Sequence, residues 1–230
     1  MFLLAGCSFT DNPYFPRYAF GDRVHRTDLS IISARGGAGN YYIAASIIEH
    51  LPVIDRVFVL WTGLSRIDLA VPAELKLQVE DFYHQETVGD TVWLMSGGFG
   101  GMWSLDDSGL PKHYSAYLKD QYVSCNWEYL SSKSLLQIAT CLSLLEKKQI
   151  EYTFGFIYDI FANNEDQASL GGAVSRNNPI LDLIPWDKCI PSTPYEFCKT
   201  RNLLSSDNFH PSEQGYQQWA DSVRSHLPLI

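Results

Sequence analysis

Phe2-Leu3-Leu4-Ala5-Gly6-Cys7-Ser8-Phe9-Thr10 decides how the rest of the chain is read. Its apolar run passes straight into a turn of small residues, the pattern of a buried strand ending in a loop. A serine at the carboxyl end of such a strand is well placed for chemistry, because open α/β sheets bind their ligands outside the strand carboxyl ends. Far along the chain, Asp207-Asn208-Phe209-His210-Pro211 places a carboxylate and an imidazole three residues apart. At that spacing the carboxylate can hold Nδ1–H and leave Nε2 as a base. Pro211 is expected at the first position of a helix, with Ser212, Glu213 and Gln214 in its opening turn.

The pair of motifs, Gly6-Cys7-Ser8-Phe9-Thr10 early and Asp207-Asn208-Phe209-His210-Pro211 late, resembles the first and last blocks of the SGNH, or GDSL-like, hydrolase superfamily. The resemblance spans almost the whole chain. It implies a three-layer α/β/α fold with a central, mainly parallel sheet. It also implies a serine esterase mechanism, with Ser8 as nucleophile, His210 as base and Asp207 as the residue that orients the base.

The inner blocks depart from that pattern. Arg35-Gly36-Gly37-Ala38-Gly39-Asn40 follows a plausible strand, Leu29–Ala34, and precedes a helix over Asn40–Leu51 with Ile43, Ala44, Ile47, Ile48 and Leu51 on one face. The dinucleotide fingerprint is incomplete and no P-loop lysine follows, so the glycines read either as a tight turn needing positive φ or as a phosphate-free donor loop. The resemblance implies that this second block lends a glycine N–H to the oxyanion hole; Gly37 is the first choice and Gly39 the alternate. After a near-continuous apolar strand, Arg56–Trp61, the family's third block commonly reads Gly-x-Asn-Asp. This chain has Gly63-Leu64-Ser65-Arg66. Ser65 and Arg66 are therefore oxyanion-hole candidates by position, while Arg66 reads equally as a clamp for a substrate carboxylate or as a surface partner of Asp68.

With 230 residues and 46% hydrophobic content the chain builds one sizeable core, expected as a single domain over 1–230. A net charge of −9, from 17 basic against 26 acidic residues, argues against nucleic acid and anionic membrane surfaces. Leu4-Ala5-Gly6-Cys7 is lettered like a lipoprotein cleavage box. A secretory segment, however, needs a charged start and about 7–15 apolar residues, and only six residues, none basic, precede Cys7. No stretch is long enough to span a bilayer. Cys7, Cys125, Cys141, Cys189 and Cys198 are odd in number with no CxxC or metal-type spacing, so reduced thiols in a cytoplasm, with no metal and no cofactor, are expected.

The stretch from Ser8 to Arg26 reads as a proline-broken loop with a short turn of helix. Residues 71–129 read as an insertion beside the core, with a helix near Ala73–His84, a strand at Thr91–Met95 and a Gly- and aromatic-rich flap from Ser96 to Trp103. His84 and His113 lack a partner motif and read as surface residues. A helix over Ser134–Ile150, a strand over Glu151–Tyr158, a polar loop over Asn163–Asn178 and a last helix near Ser212–His226, burying Tyr216, Trp219, Val223 and Leu227, complete the pattern.

These elements give an α/β domain with a parallel sheet of about five strands in a flavodoxin-like layering. The α/β-hydrolase fold shares the order Ser, Asp, His but needs a Gly-x-Ser-x-Gly elbow after several strands, which Ser8 lacks. Cys7 and Ser65 are rival nucleophiles; alternation along a strand turns Cys7 inward if Ser8 faces the site. The expected function is an esterase acting on a small-molecule or carbohydrate ester, with acetyl-carbohydrate as the guess that six Trp and thirteen Tyr invite. A non-catalytic carbohydrate-binding or assembly protein, and an acyltransferase to a sugar, are the alternatives. Oligomeric state has no signal in the sequence.

Overall fold

The computed structural model describes residues 1–21, 30–72, 85–88, 91–95, 116–117, 120–121, 127–161 and 174–228. Four strands, β1 (Phe2–Gly6), β2 (Ser30–Ala34), β3 (Arg56–Trp61) and, after an intervening segment, β7 (Glu151–Phe156), form one parallel sheet in the order β2-β1-β3-β7. Register runs Leu4 beside Ile32 on one flank of β1 and Leu4 beside Phe58 on the other. β1 is buried along its full length and β3 is buried from Val57 to Trp61, as expected of central strands covered on both faces.

The covers are helical. α1 (Tyr14–Phe20) packs against α5 (Glu213–Val223), and α2 (Asn40–His50) packs against α3 (Trp127–Lys147). Phe15 of α1 stacks on Phe58 of β3, Tyr216 and Trp219, with ring centroids 5.8, 6.2 and 5.4 Å away. Strand alternation turns Val57 and Val59 to the opposite face, where both are fully buried. The last helix buries Tyr216, Trp219 and Val223 as its periodicity predicts, and Leu227, expected with them, is buried just beyond a 3-10 turn over Arg224–His226.

Among the described residues the parallel sheet has four strands, close to the about five expected. The chain near Cys189 runs beside β7 but makes a single parallel bridge, Phe154 to Cys189, with Ile190 N–H donating to the Phe154 carbonyl at 2.8 Å. Pro185, Pro191 and Pro194 flank it, and proline has no N–H to extend a ladder. A short helix, α4 (Pro194–Lys199), takes over instead.

α3 begins at Trp127, ahead of the expected Ser134. The serines that look like a helix start are tertiary contacts within it: Ser132 Oγ accepts from Asn178 Nδ2 at 2.9 Å and Ser134 Oγ from Asn40 Nδ2 at 2.7 Å. In the 71–129 region, β6 (Thr91–Met95) is the expected strand. It lies between β4 (Asp68–Pro72) and β5 (Gln85–Val88) in an antiparallel sheet of order β4-β6-β5. The helix expected near Ala73–His84, the Ser96–Trp103 flap, Cys125, His84 and His113 lie outside the described residues.

Gly6, where β1 ends, is wedged between Thr10 and Leu60. A Cβ there would meet Thr10 Oγ1 at 2.0 Å and the Leu60 carbonyl oxygen at 3.2 Å. Thr10 is fully buried and has little room to withdraw. Gly6→Ala is expected to lower stability by about 1–3 kcal/mol, the usual cost of overpacking, read as a fall in the urea midpoint; an unchanged midpoint would show that the turn yields freely.

Candidate active site

The sheet order reverses at β1: the chain steps from β1 to β2 on one side, then crosses back to β3 on the other. Carboxyl ends at such a switch point open into a crevice. Ser8 emerges there from a tight turn in which Thr10 N–H and Asp11 N–H both donate to the Cys7 carbonyl, at 2.8 and 2.9 Å. Cys7 is fully buried and Ser8 partly exposed, the inward and outward placement that alternation predicts.

His210 arrives from the far end of the sequence. Its Nε2 lies 2.8 Å from Ser8 Oγ, and its Nδ1 lies 2.6 Å from Asp207 Oδ2. An ionised carboxylate only accepts, so Nδ1 donates to Asp207 and Nε2 accepts from the serine hydroxyl. Asp207 Oδ1 also accepts from Ser205 Oγ at 2.6 Å and from Phe209 and His210 N–H at 2.9 Å each. Burial alone would raise the Asp207 pKa, but the hydrogen bonds from Ser205, His210 and the two backbone amides outweigh it and hold the carboxyl well below its ordinary range.

The loop carrying these residues is stitched at both ends. Ser205 N–H donates to the His210 carbonyl at 2.7 Å, Ser212 N–H to the Leu203 carbonyl at 2.8 Å, and Leu204 bridges to Pro211. Asn208 adopts φ of +57°, which an asparagine tolerates at such a corner. Pro211 therefore precedes the helix instead of opening it: Ser212 is the cap, its Oγ accepting from Gly215 N–H at 3.1 Å, and α5 starts at Glu213. The imidazole is gripped by rings from both ends of the chain, Phe9 at 4.9 Å and Phe209 at 5.0 Å between centroids. Neither ring was singled out in the sequence, although Phe9 directly adjoins Ser8 and Phe209 directly adjoins His210.

The glycine loop lies at the same sheet edge. Arg35 N–H donates to the Gly6 carbonyl at 3.3 Å, and Ala38 N–H closes a turn on the Arg35 carbonyl at 3.2 Å. Gly37 takes φ of +79° at the third position of that turn, as a type II turn requires. The loop after β3 is held from three directions. Thr62 N–H donates to Asn40 Oδ1 at 2.9 Å, Asn40 Nδ2 donates back to the Thr62 carbonyl at 3.2 Å, and Leu64 N–H donates to the Tyr158 hydroxyl at 3.2 Å. Within it Ser65 is 1% exposed, and its hydroxyl has no hydrogen-bond partner among the described residues.

Arg66 and Asp68 do not form the surface pair considered from the sequence, because Asp68 is buried. Its Oδ1 accepts from Gly39 N–H and its Oδ2 from Tyr42 N–H, both at 2.8 Å, at the start of α2. Arg66 points its guanidinium at the same loop, Nη1 donating to the Ala38 carbonyl at 3.0 Å. Burial raises the Asp68 pKa to about 6, against the pull of the Tyr42 and Gly39 amides and of Arg66. Asn40 and Asp68 are thus two site residues that the sequence did not single out; the signals for them are an Asn opening a helix after glycine, and an acid two residues beyond Arg66.

Among the described residues no cluster of His, Cys, Asp or Glu is arranged to hold a metal, and no helix is long and apolar enough to cross a membrane. Cys7, Cys141, Cys189 and Cys198 are free thiols. Burial pushes Cys141, Cys189 and Cys198 up to about 12, so these three stay protonated at neutral pH.

No protein-family profile and no curated protein matches the chain. Among solved structures it is similar to the lipase Lip_vut3 from a goat rumen metagenome, at 17% identity and a TM-score of 0.49, over 98% of this chain and 96% of that one. It is also similar to the acetyl xylan esterase AlAXEase, at 11% identity and a TM-score of 0.47, over 99% of each chain.

Asp68 sets a pH dependence whose sign is fixed. Its carboxyl keeps its proton up to about pH 6 when folded, against an ordinary value of 3.8. The contribution is therefore complete below the lower value and is lost as pH rises through the higher one. Urea denaturation of wild type and Asp68→Asn across that window is expected to show wild type losing ground to the variant as pH rises. Parallel profiles would mean that Asp68 ionises normally in the folded protein.

Proposed function

We propose that the chain is a serine ester hydrolase of the SGNH type, and the observation that carries this reading is the continuous relay from Asp207 through His210 to Ser8. The Ser8 hydroxyl lies within hydrogen-bonding reach of an imidazole whose other nitrogen is committed to a carboxylate. That is the geometry for nucleophilic acyl transfer. Ser8 Oγ attacks the ester carbonyl as its proton passes to Nε2. The same proton then goes to the departing alkoxide, leaving an acyl-serine, and water deprotonated by His210 attacks the acyl carbon to regenerate Ser8. The carboxylate of Asp207 stays ionised throughout and stabilises the imidazolium.

Backbone N–H groups of Ser8 and Gly37 serve as oxyanion donors in this reading, with Ser65 Oγ as one side-chain candidate. Each such donor is worth about 2.7–4 kcal/mol in the transition state. Arg66 is the other side-chain candidate; its Nη1 donates to the Ala38 carbonyl, and a guanidinium carries four further N–H donors. The substrate class in this reading is a small-molecule or carbohydrate ester, with an acetylated carbohydrate as the case to test. In support, the His210 and Asp207 side chains are 28% and 48% exposed, which leaves the relay open to a bulky, polar leaving group.

Purified protein is expected to hydrolyse p-nitrophenyl acetate, with Ser8→Ala slower by on the order of 10⁴-fold or more. Asp207→Asn is expected to retain the fold by circular dichroism and to lose roughly 10²–10⁴-fold, since the imidazole is no longer held as the required tautomer. Full activity in Ser8→Ala contradicts the mechanism. Wild type that releases no p-nitrophenol but binds acetylated oligosaccharide favours the binding-protein alternative, and acetyl transfer to added sugar in preference to water makes the protein a transferase.

A further inference from the structure

Three observations converge on the backbone just beyond Gly37. Arg66 Nη1 donates to the Ala38 carbonyl, Asp68 Oδ1 accepts the Gly39 amide, and Asp68 Oδ2 accepts the Tyr42 amide. Gly39 is glycine for the same reason: a Cβ there would sit 2.6 Å from Asp68 Oδ2. On the near side of Gly37, Arg35 is tied to Gly6, two residues before Ser8. The glycine turn is thus fastened at one end to the strand that carries Ser8 and at the other to the loop that follows β3.

We infer that Arg66 and Asp68 are positioning residues for the esterase reaction proposed above, on which this inference rests: together they clamp Ala38, Gly39 and Tyr42 and so fix the Gly37 N–H against the carbonyl oxygen of an ester held at Ser8. A flexible Gly36-Gly37 pair needs such a clamp. A donor free to swing loses its preorganisation, and a displacement of about 1 Å costs on the order of 100-fold in rate. Neither side chain touches the substrate in this account. Arg66 stands where the family pattern carries an acid, and it acts on the turn through a carbonyl oxygen; Asp68, two residues later, supplies the carboxylate.

The test separates positioning from bulk stability and from substrate binding. In wild type active on p-nitrophenyl acetate, Arg66→Met is expected to lower kcat about 10- to 100-fold with KM within about twofold. Arg66→Lys, which keeps a cationic donor on a long stem, is expected to recover part of the loss. Amide hydrogen exchange at Gly39 is expected to quicken in Arg66→Met while exchange in the core strands stays at wild-type rates. Should Arg66→Met fail to fold, Asp68→Asn supplies the same comparison, because it keeps the side-chain size and disrupts one of the two amide contacts. An unchanged kcat in whichever variant folds overturns the inference while leaving the hydrolase reading intact, and so does a rise in KM alone, which would make Arg66 a substrate clamp. Wild type inert toward esters overturns the hydrolase reading, and the positioning role falls with it.

Discussion

A 2.8 Å contact between His210 Nε2 and Ser8 Oγ joins residues 202 positions apart, and most of the architecture is what makes that contact possible. Ser8 is fixed because β1 lies between β2 and β3 in the parallel ladder, with both faces covered. His210 is fixed because α5, the next helix after it, packs on α1, the next helix after Ser8. Tyr18 of α1 reinforces that docking by donating its hydroxyl to Glu213 at the start of α5, 2.6 Å away. Phe9 and Phe209, edge to face at 5.2 Å, close the gap between the two ends. Loss of the α1–α5 interface would therefore separate Ser8 from His210 without touching either.

Electrostatics at the site divides between two carboxylates with opposite fates. Asp207 is partly exposed and accepts four hydrogen bonds, so its charged form is favoured and it stays an acceptor for His210 Nδ1–H. Asp68 is buried, and desolvation raises it despite two backbone amides and a neighbouring arginine. The first arrangement holds the orientation of the His210 ring through Nδ1. The second is a structural clamp whose strength depends on its charge, placed where it steadies a glycine turn.

The meeting of Ser8, His210 and Asp207 is legible in the sequence because each half is a local motif: a strand running into Gly-x-Ser, and Asp and His at a spacing one turn can fold. The central strands and the α2 and α5 helices were legible for the same reason, as periodicity is local. What stayed hidden depends on contacts between distant segments. Asn40 reads as an ordinary helix-opening residue until its amide is seen bridging Thr62 and Ser134. Arg66 and Asp68 sit on one short segment and suggested each other as partners, whereas both turn to the loop before α2. The serines of α3 looked like a helix boundary because serine favours caps, and only the packed neighbours show that they serve other elements. Pro185, Pro191 and Pro194 are legible in the sequence as breakers, and the segment around Cys189 accordingly makes a single bridge to β7.

Labelling with a fluorophosphonate, followed by peptide mapping, tests the central claim most directly, because the reagent reports a serine activated by a neighbouring base. Ser8 is expected to carry the adduct, and His210→Ala is expected to abolish labelling while Ser8 remains in place. An adduct on Ser65, or labelling of Ser8 that persists at full rate without His210, would contradict the account.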